Sequence, residues 1–236
     1  MNNLKIDRRR HYMVVLDTET APIDPSIEKV TYSNQLVYDI GWCIVDKKGN
    51  VYRTRSFIVD EIFFGEPCKM RSSYFARKIP TYYQELANNK RIAMSFENIR
   101  DILLSDMLEY NTNDIYAHNA NFDYYALNNT YKWITKNKRY FYFPYNTKIF
   151  DTLAMSRQVI KNRPSYIYFC KKNNYITKNN QIQLKAETIY RYISNNNDFI
   201  ENHTGLEDTL IEKEILKYLY RQHKTMNGLI KACRDR

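Results

Sequence analysis

An apolar run that passes directly into acid, HYMVVLD at residues 11–17, sets the first limit on the fold of this chain. Consecutive apolar residues without alternation are typical of a strand that is covered on both faces. In open α/β sheets, binding sites form beyond the ends of such central strands. We therefore expect a central strand that ends at Asp17, with a functional site beside it.

The segments after this strand predict further strands and helices. LVYDIGWCIVDKKGNVYRTRSFIVD, residues 36–60, indicates a β-hairpin, because two apolar-rich runs flank a turn at Gly49 and Asn50. SFENIRDILLSDMLEY, residues 95–110, has apolar residues at helical spacing, and Ser95 is available to cap that helix. The remaining expected elements are a strand at DIYAH, a helix from about Asn121, a strand and a helix over KIFDTLAMSRQVI, and helices at about 185–194 and 205–223.

This order predicts one α/β domain over residues 1–236, with a central mixed β-sheet and helices on both faces. No Gly/Ser-rich or Pro-rich linker divides the chain. Residues 61–93 lack clear periodicity, and we interpret them as a lid or a surface excursion. A second basic and aromatic excursion is expected at about residues 157–185.

The chain carries 36 Lys plus Arg against 26 Asp plus Glu, a net charge of +10, and it also contains 22 Tyr. This composition suits polyanions with unstacked bases, although coding bias explains it equally well. Thr130–Lys148 and Lys161–Lys185 contain cations and aromatic residues but no acid. They predict either a track for single strands, with Lys171 and Lys172 as substrate-binding residues, or a basic surface over an aromatic core.

The four cysteines form no CxxC pair, which indicates reduced thiols in an intracellular protein rather than a disulfide framework or a zinc site. No apolar run has the length of a signal peptide or of a membrane span. We therefore expect a soluble, cytoplasmic protein with no membrane partner.

Two acids follow the first strand in VVLDTET. Asp17 and Glu19 are separated by one residue, so on a strand they point to the same face. Two carboxylates on one face repel each other unless a cation lies between them, which is the arrangement of a divalent metal site. The alternative is a solvated Asp-x-Glu at a strand exit.

A third acid, Asp123, lies in the stretch YAHNANFDYYAL, in the first turn of the helix expected from Asn121. If Asn121 caps that helix, Asp123 is simply a favourable anion near the positive helix end. The other reading is that Asp123 joins the acids of the first strand.

A histidine and a fourth acid lie near the end of the chain, in NHTGLEDTLIEKEIL. On one continuous helix His203 and Asp208 would lie about 140° apart around the axis and could not face a common centre. Thr204 and Glu207 have the spacing of a capping box, which predicts that the helix begins between them. His203 and Asp208 are then free to face one site, or His203 is a solvated neighbour of the cap.

Four carboxylates from three segments and one histidine form the set that a two-metal phosphoryl-transfer site requires. Carboxylates hold two divalent ions, Mg²⁺ or Mn²⁺, about 4 Å apart. A histidine accepts the proton of the attacking water, because its usual pKa lies near neutrality.

In order and spacing, Asp17-Thr-Glu19, the stretch NANFD ending at Asp123, and His203 with Asp208 resemble the three motifs of the DEDDh 3′→5′ exonucleases. This is the DnaQ-like, RNase T-like group with an RNase H-like fold. DIGWCIVD resembles the family's second strand, and FDTLAMSR its Asp-Thr segment. Thr204 stands where a tyrosine-type third motif has Tyr, which indicates the histidine subclass.

The resemblance implies a role for each matched residue. Asp17, Glu19 and Asp208 bind the first metal ion, and Asp17 with Asp123, partly through water, holds the second. His203 is the general base, and Glu19 lies close to the terminal 3′ hydroxyl. Further substrate contacts are expected from residues within or beside the motifs: Thr18, Thr20, His118, Asn119 and Phe122. His118 has the alternative role of a packed histidine at a strand end.

The sequence departs from the family pattern after the first motif and within the third. Ala21 and Pro22 stand where many members have Thr-Gly, so the hold on the terminal nucleotide is expected to differ. Gly205 replaces a frequent Ala. Neither change removes a metal ligand.

These observations predict a metal-dependent exonuclease that releases nucleoside monophosphates from the 3′ ends of single-stranded nucleic acid, with DNA favoured. RNA 3′-end trimming and degradation of short oligonucleotides are alternatives within the family. A non-catalytic nucleic-acid-binding or polymerase-associated module is the alternative outside it. A DNA polymerase and a second copy of the chain are the candidate protein partners.

Overall fold

A computed structural model describes residues 6–7, 9–27, 30–200 and 203–233. Seven strands within these ranges form one sheet in the order β4-β3-β2-β1-β5-β6-β7. Their bounds are β1 (Tyr12–Pro22), β2 (Gln35–Asp46), β3 (Val51–Val59), β4 (Ile92–Met94), β5 (Asp114–Ala117), β6 (Lys148–Asp151) and β7 (Leu229–Ala232). Parallel and antiparallel pairs both occur, which confirms the predicted mixed sheet.

Helices cover both faces of this sheet. They are α1 (Asp60–Phe63), α2 (Pro67–Arg71), α3 (Ile79–Ala87), α4 (Phe96–Glu109), α5 (Asn121–Thr135), α6 (Thr152–Val159), α7 (Pro164–Lys172), α8 (Ala186–Ser194) and α9 (Gly205–Arg221). A short 3₁₀ helix, Ala76–Lys78, precedes α3. Of the described helices, none is long and apolar enough to cross a membrane.

The first strand passes through the acidic motif instead of ending at it. β1 pairs with β2 from Tyr12 to Pro22, so the predicted end at Asp17 is wrong. On its other side, β1 pairs with the parallel strand β5 at Val14 and Val15. Asp17 lies beyond that pairing, where the sheet opens into a crevice while β2 still supports the strand. The predicted site is thus beside the middle of β1.

Alternation along β1 divides the core into two layers. Val14 and Leu16 belong to the layer that includes α4 and α5, whereas Met13 and Val15 belong to the layer formed with α6 and α9. Asp17 has the same parity as Met13 and Val15. It therefore faces the side of the sheet on which α9 packs.

The segment at residues 61–93, predicted to be irregular, is mostly helical and ends in β4, which pairs in parallel with β3. Phe63 and Tyr82 are buried in the core and contact the ring of Tyr38 on β2. These two aromatic side chains form part of the layer over the sheet, whereas most of the segment is exposed or half-buried, and its role as a lid or surface excursion stays a prediction.

The second predicted excursion contains α7, which the sequence analysis did not identify. Its Tyr166 and Cys170 are buried against the layer that includes α9. Strand β7 was also not predicted, and it pairs antiparallel with β6. The hairpin β2–β3, helix α4 with its Ser95 cap, β5, and the β6–α6 unit confirm the sequence prediction.

Candidate active site

All five residues of the predicted catalytic set line one cavity of about 210 Å³ at the crevice beside β1. Asp17 and Glu19 come from β1, Asp123 from α5, His203 from the residue pair before α9, and Asp208 from its first turn. Residues up to 191 positions apart in the chain, from 17 to 208, therefore meet at one point. The fold brings together the groups that sequence spacing alone left separate.

Asp123 is positioned by the turn between β5 and α5. Asn119 has a left-handed backbone, with φ of 68°, and its N–H donates to the side chain of Asp151 at 2.9 Å. Helix α5 starts at Asn121 with Ala120 as its N-cap and no side-chain cap, so the predicted capping role of Asn121 is wrong. The Thr18 hydroxyl donates to Oδ1 of Asp123 at 2.8 Å. Thr18 thereby links the first motif to the second.

The third motif contains the predicted break. His203 has a left-handed backbone, with φ of 50°, and α9 begins at Gly205. This places Nδ1 of His203 3.9 Å from Oδ2 of Asp208. The predicted capping box is wrong in its bonding, because the Thr204 hydroxyl donates to the Glu207 carboxylate at 2.9 Å and caps no backbone N–H.

The cap of α9 comes instead from the sheet. Oδ2 of the buried Asp39, on β2, accepts the N–H of Gly205 at 3.2 Å. Gly205 approaches β2 so closely that a methyl group on it would lie 2.6 Å from the backbone nitrogen of Gly41. This contact explains why glycine stands where Ala is frequent in the resembling family. It also sets the distance between the start of α9 and the sheet.

Two residues of the segment at 61–93 contact the catalytic histidine candidate. The ring of Phe75 stacks on His203, with 4.4 Å between ring centroids and 19° between planes. Nζ of Lys78 donates to the carbonyl oxygen of His203 at 3.3 Å. No periodic pattern marked Phe75 or Lys78 in the sequence, because Phe75 precedes the three-residue 3₁₀ helix and Lys78 ends it.

The surroundings of His203 favour its neutral form. Burial lowers the pKa of the imidazole, and the positive charges of Lys78, Arg77 and Lys185 lower it further, against the opposing charge of Glu187. A neutral imidazole at pH 7 is able to accept a proton. The site therefore presents a base rather than an imidazolium ion.

The carboxylates strongly disfavour one another's ionisation. Burial raises the pKa of Asp17 well above its usual range, and the charges of Glu212, Asp208, Asp123 and Glu19 add to this effect. Burial likewise raises the pKa of Asp123 to about 7, although its bond from Thr18 opposes the change. Such a concentration of negative charge is relieved by cations.

The donor set fits hard divalent ions. Ligand atoms of Glu19, His203 and Asp208 lie within 4.8 Å of one another, a spacing that a metal ion can bridge. Carboxylate oxygens are the ligands that Mg²⁺ and Mn²⁺ prefer. Asp17 and Asp123 line the same cavity. The site can hold divalent metal ions.

Glu212 is a fifth acid in the cavity, and the sequence analysis missed it. It lies on α9 one turn after Asp208 and is 3% exposed. The available signal was the spacing of four residues, which puts Asp208 and Glu212 on the same face of a helix. Oε1 of Glu212 accepts the backbone N–H of His118 at 3.1 Å.

The predicted substrate contacts fall into two groups. Thr18, Asn119, Phe122 and His118 line the cavity, whereas Thr20 donates to Gln35 at 2.8 Å outside it. Both ring nitrogens of His118 are engaged, with the Thr152 hydroxyl at 3.0 Å and the Leu184 carbonyl at 2.8 Å. This matches the packed role of His118.

Lys171 and Lys172 are exposed on α7, away from the cavity lining, and their predicted contact with substrate remains a prediction.

Aromatic side chains from the basic stretches are divided between core and surface. Tyr140, Phe141, Tyr145 and Tyr168 are exposed, whereas Tyr142, Phe143 and Tyr166 are buried. A separate aromatic cluster lies beside the cavity. There, Tyr32 stacks on Tyr125 at 5.9 Å and contacts Phe122 at 6.3 Å. Tyr32 and Tyr125 are both more than two-fifths exposed, so their faces are accessible to a base.

Solved structures share this fold. The nuclease domain of 3′hExo, a DEDDh family member bound to rAMP, matches with a TM-score of 0.61 and 13% identity, covering 96% of this chain and 99% of that one. A full-length 3′-exonuclease matches with a TM-score of 0.56 and 10% identity, covering 92% and 84%. A 3′-exonuclease in 3′-end-specific recognition of a histone mRNA stem-loop gives 0.61 and 11%, covering 99% and 72%.

No protein-family model matches the sequence, and no curated protein matches it either. The structural matches nevertheless confirm the predicted α/β, RNase H-like fold. The chain has the fold of a DEDDh nuclease domain, with the matched acids and the histidine gathered at one cavity.

Proposed function

We propose that this protein is a metal-dependent 3′→5′ exonuclease that hydrolyses single-stranded nucleic acid to nucleoside monophosphates. The observation that carries this proposal is the convergence of Asp17, Glu19, Asp123, His203 and Asp208 on one cavity, inside the fold of a DEDDh nuclease domain. The fold alone would serve many functions, whereas this set of donors suits phosphodiester hydrolysis.

The protein's own groups have separable tasks in this reaction. Asp17, Glu19 and Asp208 would hold one divalent ion, and Asp17 with Asp123 would hold the other. When bound, the ions supply electrostatic stabilisation of the entering and leaving oxygens. His203 accepts the proton of the attacking water, and Phe75 and Lys78 keep its ring and backbone in place. The hydroxyl of Thr18 orients the carboxylate of Asp123.

The terminal nucleotide would rest on the aromatic cluster of Tyr32, Phe122 and Tyr125, because exposed rings stack on any base without reading its sequence. The exposed rings and cations of the basic stretches would hold a longer strand. Because these stretches suit a long single strand, single-stranded DNA is the first candidate substrate.

RNA is the second candidate substrate. Two of the matched structures concern ribonucleotides, one bound to rAMP and one recognising a histone mRNA stem-loop. Partnership with a DNA polymerase or with a second copy of the chain, and a cytoplasmic location, stay predictions.

Degradation assays on the full chain test the proposal. Single-stranded DNA, single-stranded RNA and duplex, each with a free or a blocked 3′ end, are incubated with Mg²⁺ or with a chelator. We expect stepwise release of mononucleotides from free 3′ ends only, dependent on the metal and abolished in Asp17→Ala. Binding without degradation of any polymer, with wild type and Asp17→Ala indistinguishable, would show a non-catalytic module instead. The ratio of DNA to RNA rates decides between the two substrates.

A further inference from the structure

Glu212 lies inside the candidate active site although no motif of the resembling family includes it. Its carboxylate is 3% exposed and lines the same cavity as Asp17 and Asp123. It stands one turn after the buried Asp208 on α9, and the buried residues that follow it on the helix, Ile215, Leu216 and Leu219, are apolar. An acid at such a position costs solvation free energy, which hydrogen bonds and nearby cations offset.

A hydrogen bond fixes the direction of this carboxylate. Oε1 of Glu212 accepts the N–H of His118 at 3.1 Å, on the connection between β5 and α5 that leads to Asp123. Glu19, His203 and Asp208 form the group whose ligand atoms lie within 4.8 Å of one another. Glu212 therefore reaches the connection that leads to Asp123, and among the acids of the cavity its charge contributes most to raising the pKa of Asp17.

We infer that Glu212 is a fifth carboxylate of the metal centre and strengthens the binding of the divalent ion held by Asp17 and Asp123. This inference rests on the proposed function, because that function supplies the second ion. In the resemblance, that ion has two protein carboxylates and otherwise water. A third acid beside it adds negative charge, and the number of charged ligands is what tunes the affinity of oxygen-ligand sites.

The charge of Glu212 has two opposite consequences. In the metal-free protein it adds repulsion to Asp17, Glu19, Asp123 and Asp208 in one small cavity, which destabilises the fold. In the metal-bound protein the same charge attracts the ion. Glu212→Gln keeps the oxygen that accepts the His118 N–H and removes only the charge. A merely structural role of Glu212 would leave both properties of this variant unchanged.

The test is a Mn²⁺ titration of the full chain without nucleic acid. Calorimetry measures the Mn²⁺ affinity, and thermal melting measures the stability with and without the metal. Glu214→Gln is the matched control, because Glu214 lies on the same helix and pairs with Lys213 and Lys217 instead of lining the cavity. We expect Glu212→Gln to weaken the second Mn²⁺ site by about 10-fold or more and to raise the melting temperature in chelator. Glu214→Gln should bind Mn²⁺ like the wild type.

Glu212→Asp keeps the charge and should lose less Mn²⁺ affinity than Glu212→Gln. Equal Mn²⁺ affinity in the wild type and Glu212→Gln would overturn the inference and leave the proposed function intact. An equal loss of Mn²⁺ affinity in Glu212→Asp and Glu212→Gln would have the same meaning. A wild-type protein that binds no Mn²⁺ would overturn the proposed function together with the inference.

Discussion

At the scale of single residues, the proposed chemistry depends on His203, whose surroundings could be predicted from the sequence only in part. The helix start between His203 and Asp208 was predictable from the spacing of Thr204 and Glu207, although the cap itself comes from Asp39 on β2. Phe75 stacks on the ring of His203, and Lys78 donates to its carbonyl oxygen. Neither contact was predictable, because each spans more than 120 positions of the chain. Local pattern locates a motif, whereas tertiary packing decides what surrounds it.

Removing the imidazole tests the assignment of the base. His203→Ala should lower kcat by a factor of about 10² to 10⁴, the usual contribution of a positioned general base. Metal-induced thermal stabilisation should persist, because the carboxylates remain. His223→Ala, an exposed histidine beyond the far end of α9, is the control and should keep wild-type kinetics. Unchanged turnover in His203→Ala would mean that another group accepts the proton.

The pKa of Asp123 predicts a pH dependence of the metal-free protein. The pKa of this carboxyl is raised to about 7 by burial, whereas an unfolded Asp titrates near 3.9. The neutral carboxyl therefore favours the folded state below about pH 4, and this stabilisation is lost as the pH rises through about 7. In chelator, the stability gained by Asp123→Asn over wild type should grow between about pH 4 and pH 7. Denaturant melts across this range measure it, and a pH-independent difference would contradict the assignment.

At the scale of elements, most long segments were predictable, whereas of the elements of five residues or fewer only β5 and β6 were. The β2–β3 hairpin follows from two apolar-rich runs around a turn, α4 from helical spacing, and the start of α9 from the spacing of Thr204 and Glu207. Helices α1 and α2 have four and five residues, and β7 has four, which is too short for a period to emerge. Helix α7 begins at Pro164, and its side chains Tyr166 and Cys170 are buried. Its helical character depends on packing that the sequence does not display.

The start of α9 provides a test of how elements fix the site. Gly205→Ala would place a methyl group 2.6 Å from the nitrogen of Gly41, so α9 must shift or strain. We expect a loss of about 1–3 kcal/mol in the free energy of unfolding and weaker Mn²⁺ binding, because Asp208 moves with the helix. Thr204→Ala, which removes no cap, should cost less than Gly205→Ala. Denaturant melts measure the free energy of unfolding of both variants. A Gly205→Ala protein as stable as wild type would show that the contact between Gly205 and Gly41 has room for a methyl group.

At the scale of the whole molecule, the acid that caps α9 also joins it to the segment at residues 61–93. Asp39, fully buried on β2, accepts the Tyr82 hydroxyl at 2.7 Å and an N–H of Arg91 at 3.0 Å, besides the N–H of Gly205. The guanidinium of Arg91 also packs over the ring of Tyr82. One carboxylate thus connects the sheet, α3 and the helix that carries Asp208. A sequence cannot reveal such a network, because its members share no local spacing.

Truncating Arg91 should therefore weaken the fold and the site together. Arg91→Ala leaves Asp39 buried without its cation, for which the expected cost is about 3–5 kcal/mol in the free energy of unfolding. Lys90→Ala, at the exposed neighbouring position, should change stability by less than about 0.5 kcal/mol. If the network sets the start of α9, Arg91→Ala should also reduce kcat at temperatures where it remains folded, since Asp208 and His203 flank the Gly205 cap. Circular dichroism melts and single-turnover assays measure the two effects. A destabilised variant with wild-type kcat would confine Asp39 and Arg91 to a purely structural role.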